Sequence, residues 1–150
     1  MKTRRSPLDD WFSRCVREAA NWTCERCGTY YSEGARQGLH CSHLFGRRRL
    51  SVRYAPDNAV AHCFTCHQIL GENPLRFASW IRQHLGEEKT DLLEERANTI
   101  IRLKAYHKKQ ILENLKASHA DLLEQRRQGI TGRLTFESPY PEELFRDLAA

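Results

Sequence analysis

Cys24-Glu25-Arg26-Cys27 and Cys63-Phe64-Thr65-Cys66-His67 bracket the stretch that decides how this chain folds. Between them lie Leu39-His40-Cys41-Ser42-His43 and an arginine run. A two-residue spacer lets a tight turn aim both sulfurs of a CxxC pair at one point, so two pairs can surround one Zn²⁺ tetrahedrally. Cys24, Cys27, Cys63 and Cys66 are therefore expected to form a closed structural zinc site, with Gly28 giving the first turn its freedom. The second pair runs directly into a histidine, so the zinc knuckle is expected to frame a second, polar constellation.

Working outward, Leu39 to Phe45 alternates as a short strand. Leu39, Cys41, His43 and Phe45 share one face and His40, Ser42 and Leu44 the other. After Gly46 come Arg47, Arg48, Arg49 and Arg53, four arginines in seven residues. Asp57-Asn58 reads as a turn, and Ala59 to His62 as a second strand entering the second CxxC pair. Two strands so close in sequence, joined by a basic loop, predict an antiparallel hairpin. Residues 66–70 begin a helical turn ended by Gly71, and a strand-loop-strand-helix unit of this kind predicts that His43 and His67 face one cleft.

The bulk properties agree with a small nucleic-acid-handling domain. At 150 residues the chain is about one domain, large enough for a core and small enough for a metal staple to matter. It has neither an apolar run of about 18 residues nor a charged-then-apolar leader, so no membrane partner and a soluble, cytoplasmic location are expected. Four of the six cysteines fall into CxxC pairs, which in a reducing compartment read as metal ligands rather than as a disulfide framework, with Cys15 an inert core thiol. Charge is uneven: residues 1–86 hold 13 Lys/Arg against 7 Asp/Glu, giving +6, whereas residues 87–150 hold 11 against 12, giving −1. A positive field beside the metal motifs suits a polyanion.

Helices fill the remainder. Residues 1–5 form a basic arm (Lys2, Arg4, Arg5), expected to be mobile. Ser6-Pro7 opens a helix to about Ala20, with Asp9 and Asp10 at its positive end. After a loop over residues 29–38 containing Gly34, and after the hairpin, Asn73-Pro74 starts an amphipathic helix ending at Gly86. Its apolar face is expected on the hairpin. Thr90 or Asp91 caps the next helix, Leu92 to about Asn98. Residues 99–128 contain no Gly or Pro and carry an apolar stripe of Ile100, Leu103, Ile111, Leu112, Leu115, Leu122 and Leu123. Unbroken, this helix would span about 45 Å, so part of it is expected to project or to pair with another chain as a homodimer. His40, His84, His107 and His119 read as surface residues. Leu134 to Phe136 reads as a short strand or extended tail, and residues 138–145 as a small terminal helix. The expected organisation is residues 1–86 as a zinc-bound core, 87–128 as a helical extension and 129–150 as a tail.

The order His43, Asn58, His67 flanked by CxxC pairs resembles the HNH, or ββα-metal (His-Me finger), nuclease motif. More narrowly, Cys41-Ser42-His43, the arginine-rich loop, Asp57-Asn58 and the second CxxC pair resemble the NinG/Rap recombination nucleases of lambdoid phages. The likeness covers residues 22 to about 85. It implies an α+β fold: a zinc-stapled ββα-metal core with flanking helices and a long C-terminal helical extension. It also implies a metal-dependent DNA endonuclease, encoded by a phage or prophage and acting in a bacterial host, with branched DNA among its substrates.

Carried over residue by residue, the resemblance makes His43 the general base, Asn58 the residue that fixes the loop and orients that base, and His67 a ligand of the catalytic Mg²⁺ or Mn²⁺. Many HNH enzymes have Asp or His directly before the base as a second ligand; here that place is Ser42, with Cys41 or His62 as substitutes. Arg47, Arg48, Arg49 and Arg53 are expected to hold DNA phosphates. The chemistry is sound on its own terms, since an imidazole can deprotonate water while a divalent ion clamps phosphate oxygens. The rival expectation is a non-catalytic, zinc-stabilised nucleic-acid-binding module.

Overall fold

The computed structural model describes residues 3–32 and 38–148. Lys2 of the basic arm and Gly34 of the loop after the first CxxC pair lie outside the described residues. Among the described residues the fold is mixed α and β: α1 (Pro7–Ala19), β1 (Leu39–His43), β2 (Ala59–Cys63), α2 (Phe64–Gly71), α3 (Pro74–Leu85), α4 (Glu87–Ala97) and α5 (Ala105–Arg127). Short 3₁₀ turns occupy Pro56–Asn58 and Glu142–Leu148.

The two strands pair antiparallel, His40 opposite His62, Ser42 opposite Val60 and His43 opposite Ala59. One face of this hairpin receives α1 and the other α2, while α5 lies against the far side of α1. Helix α1 is thus an interior layer. Phe12, Cys15, Val16 and Ala19 are buried, and so are Asp9, Ser13, Arg17 and Glu18. On the α1 side the strands present Ala59 and Ala61, both fully buried, which lets the helix approach closely.

Polar atoms in this layer are tied down. The Asp9 carboxylate accepts the Ser6 N–H at 2.8 Å, closing the helix start, and binds Arg53 through Nε at 2.9 Å and Nη2 at 2.6 Å. Arg17 Nε donates to the Leu39 carbonyl at 2.8 Å. The first residues are tied down as well, because Thr3 and Arg4 carbonyls accept Arg47 and Arg53. The mobile arm expected from charge alone is a docked segment from Thr3 onward.

The long C-terminal helix differs most from expectation. Residues 98–104 are non-helical and α5 starts only at Ala105, making it about 35 Å long at 1.5 Å per residue. The β-branched run Thr99-Ile100-Ile101 disfavours helix, and the His107 ring accepts the Lys104 N–H at 3.1 Å at the new start. The apolar stripe does not project. Ile111, Leu115 and Leu122 are fully buried in the common core, and the Cys15 thiol donates to the Leu115 carbonyl at 3.4 Å. Ile100 and Tyr106 remain exposed. His107 is buried rather than superficial.

Three smaller departures have local causes. Helix α4 begins at Glu87, before Thr90, because Gly86 at φ +89° turns the chain and Glu87 and Glu88 suit the positive helix end. Helix α3 packs chiefly on α2 and α4, touching the hairpin through Phe77 and Trp80 beside His62. Leu134 to Phe136 is extended but unpaired as a strand; it docks by Leu134 N–H to the Ala19 carbonyl at 2.8 Å, with Leu134 and Tyr140 joining the core. One core therefore draws on all three expected segments. Among the described residues no helix is long and apolar enough to cross a membrane.

Candidate functional site

The cysteines assemble as their spacing predicts. The backbone of residues 21 and 22 takes left-handed φ values of 54° straight after α1, and a short bridge between Thr23 and Tyr30 closes the first knuckle. Gly28, at φ +79°, donates its N–H to the Cys24 carbonyl at 2.9 Å. Glu25 then clamps this knuckle to β2, its N–H on the Ala61 carbonyl at 2.8 Å and its carboxylate on the Ala61 N–H at 2.7 Å. Cys63 caps α2, its sulfur accepting the Cys66 N–H at 3.4 Å.

Tetrahedral thiolates with Zn–S bonds of about 2.3 Å sit about 3.8 Å apart. Cys27 and Cys63 sulfurs are 3.8 Å apart, and all four ligand atoms lie within 4.8 Å of one another. Hydrogen bonds from Thr29 draw the Cys27 thiol down to about 6, whereas burial pushes Cys66 up to about 12 against an Arg26 hydrogen bond. This donor set fits a metal ion such as zinc.

The loop joining the strands is fixed from several sides. Asn58, with no exposed surface, accepts the Phe45 N–H at 2.8 Å and donates to the Phe45 and Val52 carbonyls, each at 2.9 Å. Tyr140 OH donates to the Leu50 carbonyl at 2.6 Å and accepts the Tyr54 N–H at 2.9 Å, while Ser51 donates to the Arg96 carbonyl at 2.7 Å. His43 joins the same loop: its Nε2 lies 3.1 Å from the Arg53 carbonyl. A carbonyl only accepts, so Nε2 carries the hydrogen and the neutral ring keeps its lone pair on Nδ1. Burial lowers the His43 pKa, opposed by the Arg53 carbonyl and Asp9.

The expected shared cleft does not form. His43 lies on the α1 face, its ring 5.7 Å from Phe12, whereas Ser42 points to the α2 face and its hydroxyl meets His67 Nδ1 at 3.2 Å. Adjacent residues of a pleated strand point to opposite faces, so the hairpin separates the two histidines. Cys41 is on the His43 side, and burial pushes its thiol up to about 12. His62 is on the His67 side. Its ring is fully buried beside Trp80, with centroids 4.8 Å apart, and among the described residues neither nitrogen has a hydrogen-bond partner. Burial, with His67, His84 and Arg26 nearby, lowers its pKa to about 4. His40, opposite His62, stacks on His67 at 5.3 Å.

The arginines divide as well. Arg5, Arg47, Arg48 and Arg49, with Thr3 and Gly46, line a shallow groove of about 610 Å³. Arg49 also reaches the Ala97 carbonyl at 3.2 Å, anchoring the loop to α4. Arg53 is not in the groove. It is buried in its ion pair with Asp9, a structural tie where a phosphate contact was expected. Sequence reading missed Arg5 as a member of the groove and the full burial of His62, since neither the approach of the 46–49 loop to residues 3–5 nor the loss of hydrogen-bond partners leaves a local signature. Comparison with known proteins finds no matching family model, curated protein or solved structure.

Proposed function

We propose that the chain is a divalent-metal-dependent DNA endonuclease of the ββα-metal (HNH) kind, hydrolysing phosphodiester bonds at the end of β1. The observation that carries this reading is Asn58. It ties both ends of the 45–52 loop, and Arg53, which follows in that loop, holds the His43 ring by its carbonyl. A general base needs this kind of support, because a fixed ring keeps Nδ1 aimed at the attacking water.

His43 and Ser42 are consecutive, with Cα atoms about 3.8 Å apart. Among the described residues β1 has β2 as its one strand neighbour, and the reading puts the phosphodiester at its other edge, meeting His43 from one face and the His67 side from the other. A Mg²⁺ or Mn²⁺ bound there would neutralise charge building on the phosphate oxygens. His67 offers Nε2 for it, since Nδ1 is taken by Ser42; Ser42 then orients the ring from behind rather than serving as the second ligand. Arg47, Arg48 and Arg49, joined by Arg5, hold the flanking phosphates in their groove. Branched DNA of recombination intermediates is the proposed substrate class, and a phage or prophage the proposed source.

One observation favours a second reading. The separation of His43 from His67 by the hairpin suits a zinc-stabilised module that binds nucleic acid without cutting it. Supercoiled, linear, single-stranded and four-way-junction DNA incubated with Mg²⁺ or Mn²⁺ distinguish the two. The nuclease cuts, and His43→Ala binds without cutting. If wild type and variant both bind and neither cuts with either ion, the binding module replaces the nuclease.

A further inference from the structure

Trp11 gathers cations from two helices. It stands half-buried on α1, and the Arg14 guanidinium lies over its ring, 4.5 Å from the centroid. Lys116 reaches the same ring from α5, with Nζ at 5.6 Å, and the His119 ring meets it edge-on at 5.6 Å. Cations are attracted to the negative face of an indole, which holds them together although they repel one another. Their charges stay uncompensated. Among the described residues neither Arg14 nor Lys116 makes an ion pair or a side-chain hydrogen bond, and Arg14 Nε is buried without a partner.

The place of this cluster on the surface says which anion completes it. Arg5, which lines the arginine groove, donates to Ser13 Oγ at 3.2 Å and pairs with Asp10 at 2.5 Å. Asp10 and Ser13 directly precede Trp11 and Arg14 in α1, so the cluster begins where the groove ends. Asp10, the nearest acid in α1, is already engaged by Arg5. A positive path therefore runs from the hairpin loop through Arg5 and across α1 to α5. A lone anion would meet only one end of that path. A chain of phosphates matches all of it, since each cation it meets releases a counterion. The indole holds the cations, so the contact reads charge and not base identity.

We propose that Arg14 and Lys116, held by Trp11, bind phosphates of the DNA arm that leaves the arginine groove, which makes α1 and α5 part of the DNA interface. This rests on the reading that the groove holds DNA, and it does not depend on cleavage. The ring fixes the Arg14 guanidinium, whose fork suits two phosphate oxygens, and Lys116 adds a point charge for a neighbouring phosphate. The second contact lengthens the grip on DNA without adding sequence preference.

The test uses the full chain with zinc in its cysteine set and a fluorescein-labelled duplex about 100 Å long, roughly 30 base pairs at 3.4 Å each. No Mg²⁺ or Mn²⁺ is added, so binding is read by anisotropy without cutting, over about 50–200 mM salt. Arg14→Gln/Lys116→Gln should bind about tenfold more weakly at the middle of that range, with the slope of log K against log salt reduced by about 1.8, or about 0.9 for each lost phosphate contact. Arg76→Gln/Lys89→Gln removes the same charge from α3 and α4 and should leave the slope within about 0.5 of wild type. Folded Trp11→Leu keeps both cations but frees them, and should bind severalfold more weakly. Thermal unfolding and zinc content establish that each variant is folded. An unchanged slope in Arg14→Gln/Lys116→Gln, an equal fall in both double variants, unchanged affinity in Trp11→Leu, or no DNA binding by wild type overturns the contact. Cleavage followed separately with Mg²⁺ or Mn²⁺ keeps the two ideas apart. A protein that binds through Arg14 and Lys116 yet never cuts refutes the nuclease alone; one that cuts, and whose Arg14→Gln/Lys116→Gln form binds as wild type does, refutes this contact alone.

Discussion

The two faces of the hairpin are built on opposite principles. On the α1 face Asp9 holds Arg53, Arg17 holds the Leu39 carbonyl, and His43 leans on a loop carbonyl. On the α2 face His40 stacks on His67, and His62 is buried with both nitrogens unpartnered among the described residues. Apart from His43, which stays partly exposed, the first face is a finished structural interface. The second leaves a buried polar ring unsatisfied among the described residues, and the strand between them is only five residues long.

Removing metal from the cysteines should have the largest effect, because it releases both faces together. Structural zinc contributes on the order of 10 kcal/mol in small zinc-folded units. A strong chelator, or Cys63→Ser, is expected to abolish cooperative thermal unfolding in circular dichroism; an unchanged transition would show that the hairpin stands without its staple.

Next comes the finished face. Asp9→Asn leaves Arg53 as an uncompensated buried charge, a loss of about 3–5 kcal/mol by urea denaturation. The pH dependence follows in sign. Burial alone would raise the Asp9 carboxyl, but the Arg53 and Ser6 hydrogen bonds outweigh it and hold the pKa below its ordinary 3.8. A depressed folded-state pKa gives stability that is full above the unfolded value and lost as pH falls through the folded one. Wild type should therefore lose urea resistance below about pH 4, and Asp9→Asn should lack that component of the loss.

Asn58→Ala removes three buried hydrogen bonds and strands backbone groups of the loop. About 2–4 kcal/mol is expected, with faster amide exchange over residues 45–52. A loss under about 0.5 kcal/mol would mean that Tyr140 and Ser51 hold the loop without it. Smallest is the open face: His62→Leu should change stability by no more than about 1 kcal/mol, because an unpartnered imidazole gives way to an apolar side chain of similar volume. A loss of about 3 kcal/mol or more would reveal a hydrogen bond hidden there and erase the contrast between the faces.

How much of this was legible in the sequence follows from the range of each interaction. The knuckles, the hairpin and the starts of α1 and α3 were readable because CxxC spacing, alternation and Ser-Pro or Asn-Pro caps are local. The cysteine set followed, since four ligands of one ion need little beyond strand pairing. What failed was long-range. Arg53 looked like its neighbours in the arginine run, and only the fold brings Asp9 to it, 44 residues away. The stripe on α5 looked like a surface for another chain because nothing in its periodicity reveals that α1 is the partner. The predicted meeting of His43 and His67 neglected the strand's own pleat, which separates Ser42 from His43.

The central claim is that both faces act on one phosphodiester at the end of β1. Single-turnover cleavage of DNA by wild type, His43→Ala, His67→Ala and the double variant, at saturating DNA with Mn²⁺, tests it most directly. Each single variant should lose about 10²–10⁴-fold in rate while DNA affinity is kept, and the double variant should be little slower than the slower single one. Undiminished cleavage in either single variant, or none by wild type, would contradict the account and leave a zinc-stabilised DNA-binding module.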